Sequence, residues 1–156
     1  MSPTPTVVLD SNVYIFGINQ LEAGCVALLD ALVAGQWRDA LIIATPRMVE
    51  REVVQNLRNI SLTAPRRFYA ILASSPWNGV TYEDPPPELL SKYWELGLPE
   101  EDGIIGAFAE WVGARYLVSQ NRHFLERLRT GAFTVIDAGD LLEILTRKVN
   151  SDDNDK

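Results

Sequence analysis

The chain of 156 residues carries 21 Asp+Glu against 14 Lys+Arg, a net charge of −7, which argues against broad affinity for nucleic acid driven by phosphate neutralisation. Its length suits one domain able to bury about 70% of its unfolded surface, and the single cysteine, Cys25, excludes an intrachain disulfide. The opening MSPTPT lacks the basic start and apolar stretch of a secretion signal, and the longest apolar runs are too short to span a bilayer; a soluble, cytoplasmic protein is expected.

The chain then alternates short β-branched runs with helical periodicity. Val7 to Leu9 reads as a first strand, and Ala23 to Ala34 as a helix stopped by Gly35. Leu41 to Ala44 is the second strand. Thr45-Pro46 then resembles an N-cap with proline at the first helical position, and Met48, Val49, Val53 and Leu57 form an apolar stripe. Ala64 to Ala73 gives another helix, Gly79 to Tyr82 a third strand, and Glu83 to Glu88 (EDPPPE) a surface loop. Glu100 to Gly113 is helical on the strength of Ile104, Ile105, Phe108 and Trp111. Ala114 to Ser119 and Ala132 to Ile136 are the last strands, with a short helical turn at Phe124 to Arg129 between them. Ala138 to Lys148 closes the fold. Residues 1–149 thus read as a single domain, and the acidic tail 150–156 as disordered.

Strands alternating with helices predict βαβ units: a three-layer α/β/α sandwich around a mostly parallel central sheet. In such sheets ligands bind outside the carboxyl ends of the strands, where the strand order reverses. Asp10, inside VVLDSNVYIF, ends the first strand, and Asn12 follows it. A carboxylate there needs a partner, and three segments can supply one. Glu52 sits at the edge of the buried stripe of its helix, while Glu50 is more exposed. Asp102 opens a helix beside Glu100 and Glu101, four residues before Gly106, whose missing side chain lets the helix approach the first strand or leaves room for a ligand. Asn121 follows the fourth strand, beside Ser119. Three acids brought together would repel one another, and Mg²⁺ or Mn²⁺ with oxygen ligands explains them economically.

In order and spacing, VVLDSNVYIF, TPRMVEREVVQNL, EEDGIIGAFAEWVGARYLVSQNRHFLERL and FTVIDAGDLLEIL resemble a PIN domain. That family of metal-dependent ribonucleases includes the toxins of many bacterial toxin–antitoxin pairs. The resemblance implies an endoribonuclease in which Asp10, Glu52 and Asp102 hold Mg²⁺ or Mn²⁺ and Asn121 completes the catalytic set. A metal-bound water would attack the phosphodiester. Asn12, Ser119, Arg47, Arg51 and Arg122 would contact RNA. It also implies an antitoxin protein partner and a homodimer. Asn121 departs from the family pattern, where many members carry aspartate, so the other reading is a weak or inactive PIN-like module that binds RNA or a protein.

His123, beside Phe124, is read as a packing or surface histidine and not as a general base. Phe16, Leu21, Trp37 and Trp77 are aromatic or apolar candidates for an interface under the binding reading. Arginines cluster twice: Arg47, Arg51, Arg58, Arg66 and Arg67 in one stretch, and Arg115, Arg122, Arg127 and Arg129 in another. Those are the places to look for phosphate contacts. No glycine-rich phosphate loop follows the first strand, and no lysine lies where a phosphoacceptor domain needs one.

Overall fold

In a computed structural model, residues 4–37, 39–74 and 78–154 are described. The elements run β1 (Thr6–Leu9), α1 (Ser11–Ile18), α2 (Ala23–Val33), β2 (Ile42–Pro46), α3 (Arg47–Arg58), α4 (Pro65–Ala73) and β3 (Asn78–Thr81). They continue with α5 (Pro87–Trp94), α6 (Glu100–Trp111), β4 (Tyr116–Val118), α7 (Arg122–Arg127), β5 (Thr134–Ile136) and α8 (Ala138–Asn154). The five strands form one sheet in the order β3-β2-β1-β4-β5, and every pairing is parallel.

The parallel sheet explains why the strands are short apolar runs and not alternating ones. A strand covered by helices on both faces has no side to give to water. Val7, Val8 and Leu9 on central β1 are almost fully buried, as are Leu117 and Val118 on β4. The chain moves outward from β1 through β2 to β3, then crosses back to β4 and outward again to β5. Right-handed crossovers running in opposite directions place their helices on opposite faces, which gives the expected α/β/α sandwich. α1 packs on α2 and α3, α2 on α8, and α5 on α6.

Two helices escaped the sequence reading. α1 begins immediately after Asp10, where the sequence pattern marks no helix, and SNVYIFGI is apolar on nearly every side, so it shows no helical period. Val13, Tyr14, Gly17 and Ile18 are accordingly buried. α5 starts inside the proline run: Pro86 is its N-cap residue and Pro87 its first helical residue, where a missing N–H costs nothing. The expected capping by Thr45 is also corrected. Thr45 and Pro46 are the last residues of β2, paired with Val80 and Thr81, and the buried Thr45 hydroxyl lies 3.3 Å from that of Tyr14. At the other end α8 continues to Asn154, through residues read from sequence as a disordered tail.

Candidate functional site

The strand order reverses between β1 and β4, so the crevice of this sheet lies where Asp10 and Ser119 leave those two strands. Asp10 continues the ladder, its N–H donating to the Val118 carbonyl at 2.8 Å, and then turns into α1 as the N-cap residue. Its carboxylate accepts from the Ser11 N–H at 2.7 Å through Oδ1 and from the Ser119 hydroxyl at 2.9 Å through Oδ2. Only 6% of Asp10 is exposed. The acid inside the apolar run is therefore a helix cap with both oxygens engaged.

Glu52 approaches from α3, as its helical register predicts. Its Oε2 accepts from the Ser11 hydroxyl at 2.6 Å, so Ser11 links the two acids. Glu101 of α6 is the third carboxylate near them, and its charge acts on both Glu52 and Asp10. Burial pushes the Asp10 carboxyl above its usual range, against hydrogen bonds from Ser119 and Ser11, with a further rise from Glu101. Burial likewise raises Glu52, opposed by Ser11 and reinforced by the charges of Glu101 and Asp10.

This donor set does not fit Mg²⁺ or Mn²⁺. Such ions need several unprotonated oxygens free to converge in near-octahedral geometry. Here Asp10 and Glu52 accept from Ser119 and Ser11, and the protein gathers no further acid with them into such a shell among the described residues. Among the described residues, no group of three or more His, Cys, Asp or Glu side chains is placed to hold a metal ion. The sequence expectation of a metal-dependent endoribonuclease is overturned on this point.

The remaining predicted residues fall in different places. Asp102 and Asn121 line a cavity of about 400 Å³ with Gly97, Leu98, Pro99 and Arg127. Gly106 makes no room for a ligand: a Cβ there would lie 2.7 Å from the buried ring of Tyr93, so the glycine serves the packing of α5 on α6. Asn12 and Ser119 are brought together. The Asn12 amide reaches the Ser119 hydroxyl at 3.4 Å, and the Gln120 and Asn121 N–H groups donate to Asn12 Oδ1 and Ser119 Oγ at 3.1 Å each.

Gln120, which the sequence did not single out, extends that network. Its Oε1 accepts from the Ala138 N–H at 2.8 Å, and its Nε2 reaches Glu22, whose carboxylate caps α2. The contacts join three chain segments distant in sequence, so no local pattern could have flagged it.

Arg47 is exposed and pairs with Asp84 at 2.9 Å, and Arg51 lies exposed one turn further along α3. The side chains of Arg122 and His123, and Trp77 as a whole, lie outside the described residues. Of the other interface candidates, Trp37 is buried, Phe16 half-buried, and Leu21 68% exposed.

The parallel 3-2-1-4-5 sheet between helical layers, with Asp10 and Ser119 at its switch point, defines a PIN-like fold. Solved structures agree. PAE2754 from Pyrobaculum aerophilum is similar over 93% of this chain and 91% of its own, at 25% identity and a TM-score of 0.64. VapBC2 from Rickettsia felis, solved bound to a DNA fragment from their promoter, is similar over 85% of this chain and 98% of its own, at 16% identity and a TM-score of 0.56. No family model and no curated protein matches the chain. Among the described residues no single helix is long and apolar enough to cross a membrane.

Proposed function

We propose that this chain is a PIN-like module that binds RNA and is weak or inactive as a nuclease. The observation that carries this reading is the acid end of β1. Its carboxylates accept from Ser11 and Ser119, while the arginines of α3 stay outside on the surface. A phosphodiester chain is attracted to the second kind of surface and repelled by the first. In the binding step the exposed arginines of α3 meet phosphate oxygens, and the Asp10, Asn12 and Ser119 network holds the strand ends of the fold.

A protein partner is the second reading, favoured by a cleft of about 270 Å³ whose walls include Met48, Leu90, Trp94, Ile104 and Phe108. Trp94 is 39% exposed at its rim. An antitoxin-like chain would cover such a surface.

The test is to incubate the protein with labelled single-stranded RNA, with and without Mn²⁺, and to read both retention and length on native and denaturing gels. Retained RNA of unchanged length, with affinity indifferent to a chelator, is the expected result. Mn²⁺-stimulated cleavage that disappears in a folded Asp10→Asn variant would overturn it.

A further inference from the structure

A groove on the outer side of α3 has no part in the acid network. It measures about 560 Å³ and is lined by Arg47, Glu50, Arg51, Val54, Arg58 and the rings of Tyr69 and Tyr82, among others. Arg47, Arg51, Val54 and Arg58 recur at four, three and four residues, so they form one stripe, turned away from the buried Val49, Val53 and Leu57. Glu52 leaves another side of the same helix to reach Ser11. The opposite wall comes from α4, which carries Tyr69, and from Tyr82, which follows β3.

We propose that this groove binds single-stranded nucleic acid, with phosphates on Arg51 and Arg58 and bases stacked on Tyr69 and Tyr82. The proposal rests on the RNA-binding reading above and gives it a site. Three arginines against one glutamate line the groove in a chain whose net charge is −7, so the local field is opposite to that of the whole molecule. Arg47 is held at one end by Asp84. Among the described residues no ion pair engages Arg51 or Arg58, so their guanidinium forks are available for phosphate. The single acid is occupied, because the Tyr82 hydroxyl donates to Glu50 at 3.2 Å and the contact also steadies the ring.

The aromatic groups decide between ligands. Tyr82 is 62% exposed and Tyr69 45%, and Tyr69 is supported from behind by an edge contact to Phe68 at 5.5 Å between centroids. Exposed rings beside unpaired arginines are what unstacked bases and their backbone need, and every base offers a face to them. An acidic peptide would use the arginines and leave the rings idle. A duplex would keep its bases stacked inside and could not reach the tyrosines.

The experiment is fluorescence anisotropy of the full chain with labelled single-stranded RNA, single-stranded DNA and duplex of the same mixed sequence. The variants are Arg51→Gln with Arg58→Gln, Tyr69→Ala with Tyr82→Ala, and Tyr82→Phe, each checked for an unchanged melting curve. Wild type should bind single strands over duplex, and the RNA and DNA arms show which sugar is preferred. The arginine pair should weaken binding about tenfold and lower the slope of log affinity against log salt by about 0.7 per lost contact. The double alanine should weaken it at least fivefold, and Tyr82→Phe, which keeps the ring, should restore most of that loss at its own position. RNA binding that none of the variants changes would overturn the groove and leave the RNA-binding reading standing. Absence of any nucleic-acid binding by wild type would overturn both. A change of oligomeric state in the groove variants, with nucleic-acid affinity unchanged, would assign the groove to a protein contact and overturn the proposal.

Discussion

The two ends of α3's surroundings treat charge in opposite ways. At the carboxyl end of β1, Asp10 and Glu52 are drawn inward and closed by Ser11, Ser119 and Glu101, and burial raises both carboxyls. On the outer side of the same helix, Arg51 and Arg58 stand in water with no ion pair among the described residues. A buried charge spends its interactions on the fold, whereas an exposed one keeps them for a ligand. The difference separates groups that hold this structure together from groups that meet something outside it.

The strongest way to break the first region is at Ser119. Its hydroxyl donates to Asp10 and accepts from Asn12 and the Asn121 N–H, so Ser119→Ala takes a donor from the buried Asp10 carboxylate and breaks two half-buried contacts. A loss of about 1–3 kcal/mol is expected, read as a melting temperature lower by roughly 2–4 °C for each kcal/mol. A variant as stable as wild type would show that the network is incidental. The second region responds differently. Replacing Arg51 and Arg58 together should weaken RNA binding about tenfold, or about 1.4 kcal/mol, with the melting temperature unchanged. Parallel loss of both affinity and stability would erase the distinction drawn between the regions.

A smaller effect sharpens the comparison through pH. Because burial holds the Asp10 and Glu52 carboxyls above their ordinary values, the fold retains protons that the unfolded chain releases. Their contribution is complete below a pH of about 4 and is lost as pH rises through the raised values. Glu52→Gln keeps an acceptor for the Ser11 hydroxyl while removing the charge. It should stabilise the protein by about 1 kcal/mol at neutral pH, with the gain vanishing at low pH in thermal melts. A gain that persists unchanged under acid would assign it to packing instead. The smallest effect is a null one: millimolar Mn²⁺ should move the melting temperature by less than about 1 °C, since a ligand stabilises only what it binds.

Most of the fold was legible in the sequence because parallel strands and amphipathic helices are written locally. The apolar stripe Val49, Val53, Leu57 defined α3 and turned Glu52 inward, as the structure bears out. α1 was hidden by being buried on nearly all sides, and the helix start read at Thr45-Pro46 shifts by one residue, because Thr45 closes β2 and Pro46 is the N-cap residue of α3. Among the acids, the register of α6 could not show that Glu101 interacts with Glu52, while Asp102 faces the cavity shared with Asn121.

The sequence by itself determined the alternation of strands and helices, the carboxylate at the end of β1 and the stripe of arginines on α3, because each depends on residues within a few turns of one another. Tertiary structure decided what those groups do. Whether Asp10 opens onto a metal or closes on Ser119 depends on a loop more than a hundred residues away, and whether Arg51 and Arg58 face a partner or a groove depends on Tyr69 and Tyr82 arriving from other elements. Hydrogen bonds and stacking act over a few ångströms, so their meaning is fixed only when the chain has folded.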